Sequence, residues 1–117
     1  MTLVMRKRDE DFLVSEGNGF ISRDEIVLAS DPTPYESGHV VIKDGLKYSK
    51  LASDTTLTGS ITDDVAIVAR YVDATAADHP AAAITRTAEV LKDALVVDVL
   101  DIDDVLLSLA ASGIVAR

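Results

Sequence analysis

Residues 65–90, VAIVARYVDATAADHPAAAITRTAEV, hold two apolar runs separated by a small polar loop over 73–80, and no glycine or proline breaks either run. Apolar runs of this length have to be buried, so the rest of the chain must be arranged around them. In 65–72 alternate residues form two faces, Val65, Ile67, Ala69 and Tyr71 against Ala66, Val68, Arg70 and Val72. Both faces are mainly apolar, which predicts a strand covered on both sides. In 81–90 the faces are Ala82, Ile84, Arg86, Ala88 and Val90 against Ala83, Thr85, Thr87 and Glu89, the second being the wetter.

A chain of 117 residues is one domain by length. Three tyrosines, two phenylalanines and no tryptophan leave a core of Val, Ile, Leu and Ala with few large anchors. Shared surface in an oligomer would supplement such a core.

Residues 1–11 show neither strand nor helix periodicity and read as a mobile arm, leaving 12–117 as the domain. From Phe12 a short apolar run is predicted to turn tightly through Gly17, Asn18 and Gly19 and to resume as a strand over 25–28. Pro32 and Pro34 forbid regular structure around them. Strand-like runs at 39–43 and 46–51 flank Asp44 and Gly45, the signature of a hairpin with a two-residue type I′ loop.

Residues 55–64 are rich in Thr, Ser, Asp and Gly and read as a loop. Residues 92–100 are expected to be extended. A helix is predicted over 101–113, because Ile102, Val105, Leu106 and Leu109 make one apolar stripe. Asp101 suits its N-cap, Asp103 and Asp104 suit its first turn, and Gly113 suits the C′ position. Ile114 and Val115 read as a final strand.

Twenty acidic against eleven basic residues give a net charge of −9, which repels phosphate backbones and argues against nucleic-acid binding. The basic triplet Arg6, Lys7 and Arg8 is followed at once by Asp9, Glu10 and Asp11 and has no aromatic platform for bases. The chain lacks cysteine, and with it disulfides and thiolate metal sites. No segment is apolar over the roughly eighteen residues of a membrane span, and the start does not read as a signal peptide. A soluble, unexported protein without membrane partners is expected.

Candidate chemistry is thin. Asp98, Asp101, Asp103 and Asp104 suggest a hard cation, but counting from Asp101 puts Val105 and Leu106 where a calcium loop needs a ligand and a glycine. Capping and dipole chemistry at the helix start accounts for most of these aspartates. Ser37, His39 and Asp44 make a triad only on paper, and both histidines, His39 and His79, read as surface residues. Gly17, Asn18 and Gly19 lack the setting of a phosphate or dinucleotide loop. No catalytic residue, metal, cofactor or small-molecule substrate is expected.

Four segments in order, FLVSEGNGFISRD (12–24), YVDATAAD (71–78), ITRTAEV (84–90) and SGIVAR (112–117), resemble the bacteriophage head decoration proteins of the phage-lambda type. The resemblance runs from about Phe12 to the C-terminus. It implies a mixed α/β, mostly β fold, a small clip-like β domain with one C-terminal helix and an extended N-terminal arm. It further implies a non-enzymatic homotrimer, made in the host bacterial cytoplasm, that cements the major capsid protein on the outer face of an expanded head at three-fold positions.

On that reading the arm contacts the capsid through Leu3, Val4, Met5, Arg6, Phe12, Leu13, Val14, Ser15 and Glu16. A charged N-terminal extension and the acidic 98–104 run stand out from the plainer family pattern. Arg70 and Arg86, placed on mainly apolar strand faces, need partners, expected from Asp73, Glu89 or a neighbouring subunit, and are the candidate trimer-interface residues. Two other readings compete: a trimeric clip-fold nucleotide hydrolase using Asp44, Gly45 and Tyr48, and a generic virion adaptor.

Overall fold

The computed structural model describes residues 12–16, 23–51, 65–97 and 102–117. Along them run β1 (Leu13–Glu16), β2 (Arg23–Leu28), β3 (Val40–Asp44), β4 (Lys47–Lys50), β5 (Val65–Val68), β6 (His79–Ile84) and β7 (Ala88–Val90). A 3-10 turn (Lys92–Ala94), helix α1 (Ile102–Ala111) and β8 (Ile114–Ala116) complete the order. The expected mostly β fold with one C-terminal helix is what forms. The 1–11 arm and the 55–64 loop lie outside the described residues.

Five strands close into a barrel in the order β2-β4-β3-β5-β6, and β1-β7-β8 make a separate three-stranded sheet. Every residue of β5 is buried, as its two apolar faces require. The strand period of two divides these side chains between two cores. Val41, Ala66, Val68, Ala81 and Ala83 fill the barrel with Ile26, Leu28 and Tyr35. Val40, Val65, Ile67 and Ile84 point the other way and pack with Phe12, Val90, Val105, Leu109 and Ile114 from the sheet and helix. A five-stranded barrel has little interior room, which is why its lining is alanine-rich. Each fully buried Val, Leu or Ile contributes about 1.5–3 kcal/mol.

Several local expectations are corrected. Pairing from Val41↔Lys50 to Asp44↔Lys47 leaves Gly45 and Leu46 as the hairpin loop, one residue later than expected. Gly45 has φ of 66° and Leu46 has no positive φ, so the turn is of the type II′ class, which asks for glycine only at its first central position. This register keeps Val41 facing the barrel. The strands on either side of Gly17 to Gly19 do not pair with each other: β1 pairs with β7 and β2 with β6, because Phe12 serves one core while Ile26 and Leu28 serve the other. The turn itself lies outside the described residues.

The run 81–90 is two strands. Thr87, at φ of 47°, breaks it, and its N–H donates to the Ser112 carbonyl at 3.3 Å. The break shifts the phase, so Ala81 and Ala83 are buried before it and Ala88 and Val90 after it, while Ala82 is exposed. The loop expected over 73–80 ends early, since His79 and Pro80 already pair with β2. β5 pairs only with Ala83 and Ile84 of this strand, so the missing N–H of Pro80 breaks no ladder. Residues 92–97 are turned at Lys92–Ala94 rather than extended, and Val96 then bridges His39.

The helix has the expected stripe: Val105 and Leu109 are buried and Ile102 and Leu106 half-buried. Asp103 and Asp104 occupy its first turn and Gly113 follows its end, while Asp101 lies outside the described residues.

Gly38 sits where the 37–39 turn meets the 3-10 segment, with φ of 88°, and a Cβ there would lie 2.7 Å from the Ala94 carbonyl oxygen. Gly38→Ala is expected to destabilise the fold by about 1–3 kcal/mol, seen as a lowered denaturation midpoint at unchanged slope.

Candidate functional site

Ser37 and His39, two members of the triad that could be drawn only on paper, are each engaged in holding the fold. Ser37 is buried and its hydroxyl donates to the Ala69 carbonyl at 3.0 Å. His39 is not a surface residue; it is 3% exposed, with Nδ1 accepting the Glu36 N–H at 3.4 Å and its ring edge-on to Tyr35 at 5.8 Å. The bridge to Val96 covers it, an arrangement invisible to local reading. His79 is exposed, as expected. Tyr48, which a sugar-binding hairpin would present, packs half-buried against the barrel core. Among the described residues no three His, Asp or Glu side chains gather as a metal site, and no helix is long and apolar enough to cross a membrane.

The structure offers surfaces instead. Arg70 and Arg86 flank Asp24 at the start of β2. A groove of about 520 Å³ is lined by Arg23, Asp24, Glu25, Arg70, Pro80, Ala81 and Ala82, so two arginines face two carboxylates there, and an adjoining one of about 420 Å³ has Asp24, Arg86, Thr87, Ala111 and Ser112 among its lining. Arg86 pairs with Asp24, whose Oδ2 also accepts the Thr85 hydroxyl at 2.9 Å. Within the chain Arg86 pairs with Asp24, which the β2–β6 pairing brings across the strands, where the expectation had named Asp73, Glu89 or a neighbouring subunit. Glu89 is taken by Arg117, which donates from Nε at 2.8 Å and from the guanidinium tip at 3.2 Å. Both Arg70 and Arg86 are exposed, since β5 and β6 end before reaching them. Their charges remain in water, and the burial cost anticipated for them does not arise.

The second surface is the sheet that carries the arm's root. Phe12 is fully buried against the barrel, Leu13 is half-buried, and Val14 is 47% exposed on the outer side. Leu91 (43%) and Val115 (53%) share that outer side around the Glu89–Arg117 pair. Sequence order gave no hint that these residues of three separate segments meet. Ser15 and Glu16 complete β1, opposite Glu89 and Ala88. Leu3, Val4, Met5 and Arg6 lie outside the described residues.

One barrel end is closed by aspartates. Asp31 Oδ1 accepts the Thr33 N–H and hydroxyl, each at 3.0 Å, and Asp73 Oδ1 accepts the same two groups of Thr75 at 3.0 and 2.6 Å. These two Asp-x-Thr turns repeat in the sequence and were a readable signal. Asp78 pairs with Lys47 and accepts the Ser30 N–H at 2.8 Å.

All three carboxyls are held below the ordinary carboxylate range. The Thr33 backbone N–H does most for Asp31, the Thr75 hydroxyl for Asp73 and the Lys47 ammonium for Asp78. A carboxyl with a depressed folded pKa contributes stability above its unfolded pKa and loses it as pH falls through the folded value. Melting temperature is therefore expected to fall from about pH 5 downward, and Asp31→Asn with Asp73→Asn to flatten that decline.

A family model described as bacteriophage lambda head decoration protein D matches residues 2–114. The chain belongs to this family. Comparison with curated proteins and with solved structures gives no match. Because the head decoration match starts at residue 2, the charged residues 2–11 lie inside the family pattern and are not an extension added to it. Head decoration proteins are structural components of phage capsids, and membership supports a structural role bound to the capsid of a virion. The exposed sheet face and the grooves around Asp24 are surfaces suited to that role.

Proposed function

We propose that this protein binds as a homotrimer to the outer face of an expanded phage head at three-fold positions, where it holds neighbouring major capsid subunits together against internal pressure. The observation that carries this reading is the family match over residues 2–114. Residues 1–11 act as the arm and 12–117 as the body. Leu3, Val4, Met5 and Arg6 with Leu13–Glu16 make the capsid contact, while buried Phe12 ties the arm to the body.

β1 is an outer strand of its sheet, so the chain leading into it is placed to add to an exposed strand edge on the capsid protein. Main-chain hydrogen bonds would supply affinity there and the apolar side chains register. Arg70 and Arg86 lie on the face between subunits. Three arms on one closed trimer raise the effective concentration of the second and third contacts, so individually weak contacts give firm attachment. Synthesis in the host cytoplasm precedes assembly on the head.

The test is co-sedimentation with undecorated expanded heads. Saturable pelleting of the protein, with heads that then resist heat or chelator better than bare ones, is expected. Failure to pellet at any concentration would contradict the reading.

A further inference from the structure

The point at which a terminal segment leaves a domain decides which surface it passes first. Residues 1–11 leave at Phe12, whose carbonyl accepts the Leu91 N–H at 2.6 Å. The next residue, Lys92, brings its ammonium within 3.5 Å of Asp103 in the first turn of α1. The root of the arm therefore adjoins the start of the helix. From there α1 runs back along β7, and the carbonyls after its far end, of Ser112 and Gly113, accept the Thr87 and Ala88 N–H groups at 3.3 Å.

The outward side of α1 carries two kinds of group in order. Asp103 and Asp104 are exposed in the first turn, Leu107 is 63% exposed one turn on, and Ala110 and Ala111 are exposed beyond it. Positions three and four apart share a helix face, so these side chains form one stripe, acidic at its start and apolar after it. At 1.5 Å per residue its two ends lie about 10 Å apart. The acidic end is not balanced from within: over 92–116 the sequence holds five aspartates and one lysine, and that lysine already accompanies Asp103.

The arm holds the complementary groups in the same order counted from its root. Asp11, Glu10 and Asp9 come first, beside the end of the sheet where the Arg117 carbonyl accepts the Lys92 N–H. Arg8, Lys7 and Arg6 follow, and then Met5, Val4 and Leu3. Extended chain rises about 3.3 Å per residue, so the basic triplet begins within about 16 Å of Phe12 and its centre lies about 10 Å from Val4. The second distance matches the spacing of charge and apolar surface along α1.

We infer that in the free protein the arm lies along the outward side of its own α1, with residues 6–8 on the acidic first turn and residues 3–5 on Leu107, Ala110 and Ala111. Each contact is exposed and weak alone, but a short tether holds the arm at an effective concentration on the order of millimolar. The arm is thereby kept in reserve, and attachment to a head has to displace it. That consequence rests on the capsid role proposed above, whereas the docking does not.

The chain has no cysteine, so Thr2→Cys takes a single nitroxide spin label, and amide NMR of the full chain is recorded with the label oxidised and reduced. The expected result is at least a twofold loss of intensity, greatest over residues 103–111. Leu107→Asp is expected to restore those signals, as is the arm variant Arg6→Glu/Lys7→Glu/Arg8→Glu, which leaves the body untouched. Loss spread evenly over the surface, or loss unchanged in both variants, overturns the docking. Isotope-labelled chain without the spin label, mixed with spin-labelled chain, is expected to show no loss; loss there seats the arm on a second copy and overturns the same-chain contact. In pelleting with undecorated expanded heads, Leu107→Asp is expected to half-saturate at a concentration about threefold or more lower than wild type. An unchanged half-saturation beside restored NMR signals overturns the reserve role alone. Failure of both proteins to pellet overturns the capsid role and leaves the docking standing.

Discussion

Deleting residues 1–11 is expected to leave a folded protein that no longer attaches to expanded heads. Folding survives because the body keeps its anchor at the arm's root: Phe12 is fully buried between barrel, sheet and helix, and its carbonyl accepts the Leu91 N–H at 2.6 Å. Attachment is expected to fail because, in the proposed reading, the arm supplies the capsid contacts that three copies multiply, and avidity of this kind is worth about 10²–10⁴ in affinity. Co-sedimentation of the truncated and full-length proteins, with matched melting curves, checks both halves. Undiminished pelleting by the truncated protein would move the capsid contact from the arm to the body.

Tyr35→Ala is expected to destabilise the fold by about 3–5 kcal/mol, a large share of what a domain this size possesses. Tyr35 is the largest fully buried side chain. It plugs the barrel end, its hydroxyl donating to the Ala29 carbonyl at 2.6 Å and its backbone exchanging hydrogen bonds with Val72 at 2.8 and 2.9 Å. Lys50 Nζ lies 5.2 Å from the ring centroid and donates to Asp31 and Thr33, so losing the ring also loosens the Asp31 turn. Tyr35→Phe keeps the ring and should cost only about 1 kcal/mol, which separates packing from the hydrogen bond. Thermal melts of the two variants would show a fall of about 10–20 °C for the first and a few degrees for the second.

What could be read from the sequence was what depends on near neighbours. Two apolar faces made β5 a doubly covered strand, and the Ile102, Val105, Leu106 and Leu109 spacing set the buried side of α1. Gly45 marked the hairpin, although its loop register depended on which face of β3 the barrel needed. What could not be read depends on barrel closure. Asp24 and Arg86 are 62 positions apart and meet only because β2 lies beside β6, so a search among local acids found the wrong partner. His39 looked like a surface residue because nothing near it in sequence reveals that Val96 pairs across it. The phase change at Thr87 was hidden because a threonine at positive φ is held there by contacts with the turn after α1. The outer sheet face was hidden for the same reason, since Val14, Leu91 and Val115 come from three distant segments.

The central claim is that this chain, as a trimer, occupies the three-fold positions on the outside of the expanded head. Electron cryomicroscopy of expanded heads, imaged with and without added protein, tests it directly. The account predicts added density outside the shell at three-fold and quasi-three-fold positions, with three-fold symmetry, three copies of the β-barrel body and a strand of each arm joined to the capsid protein. Heads without added density, or density at other positions in single copies, would contradict it.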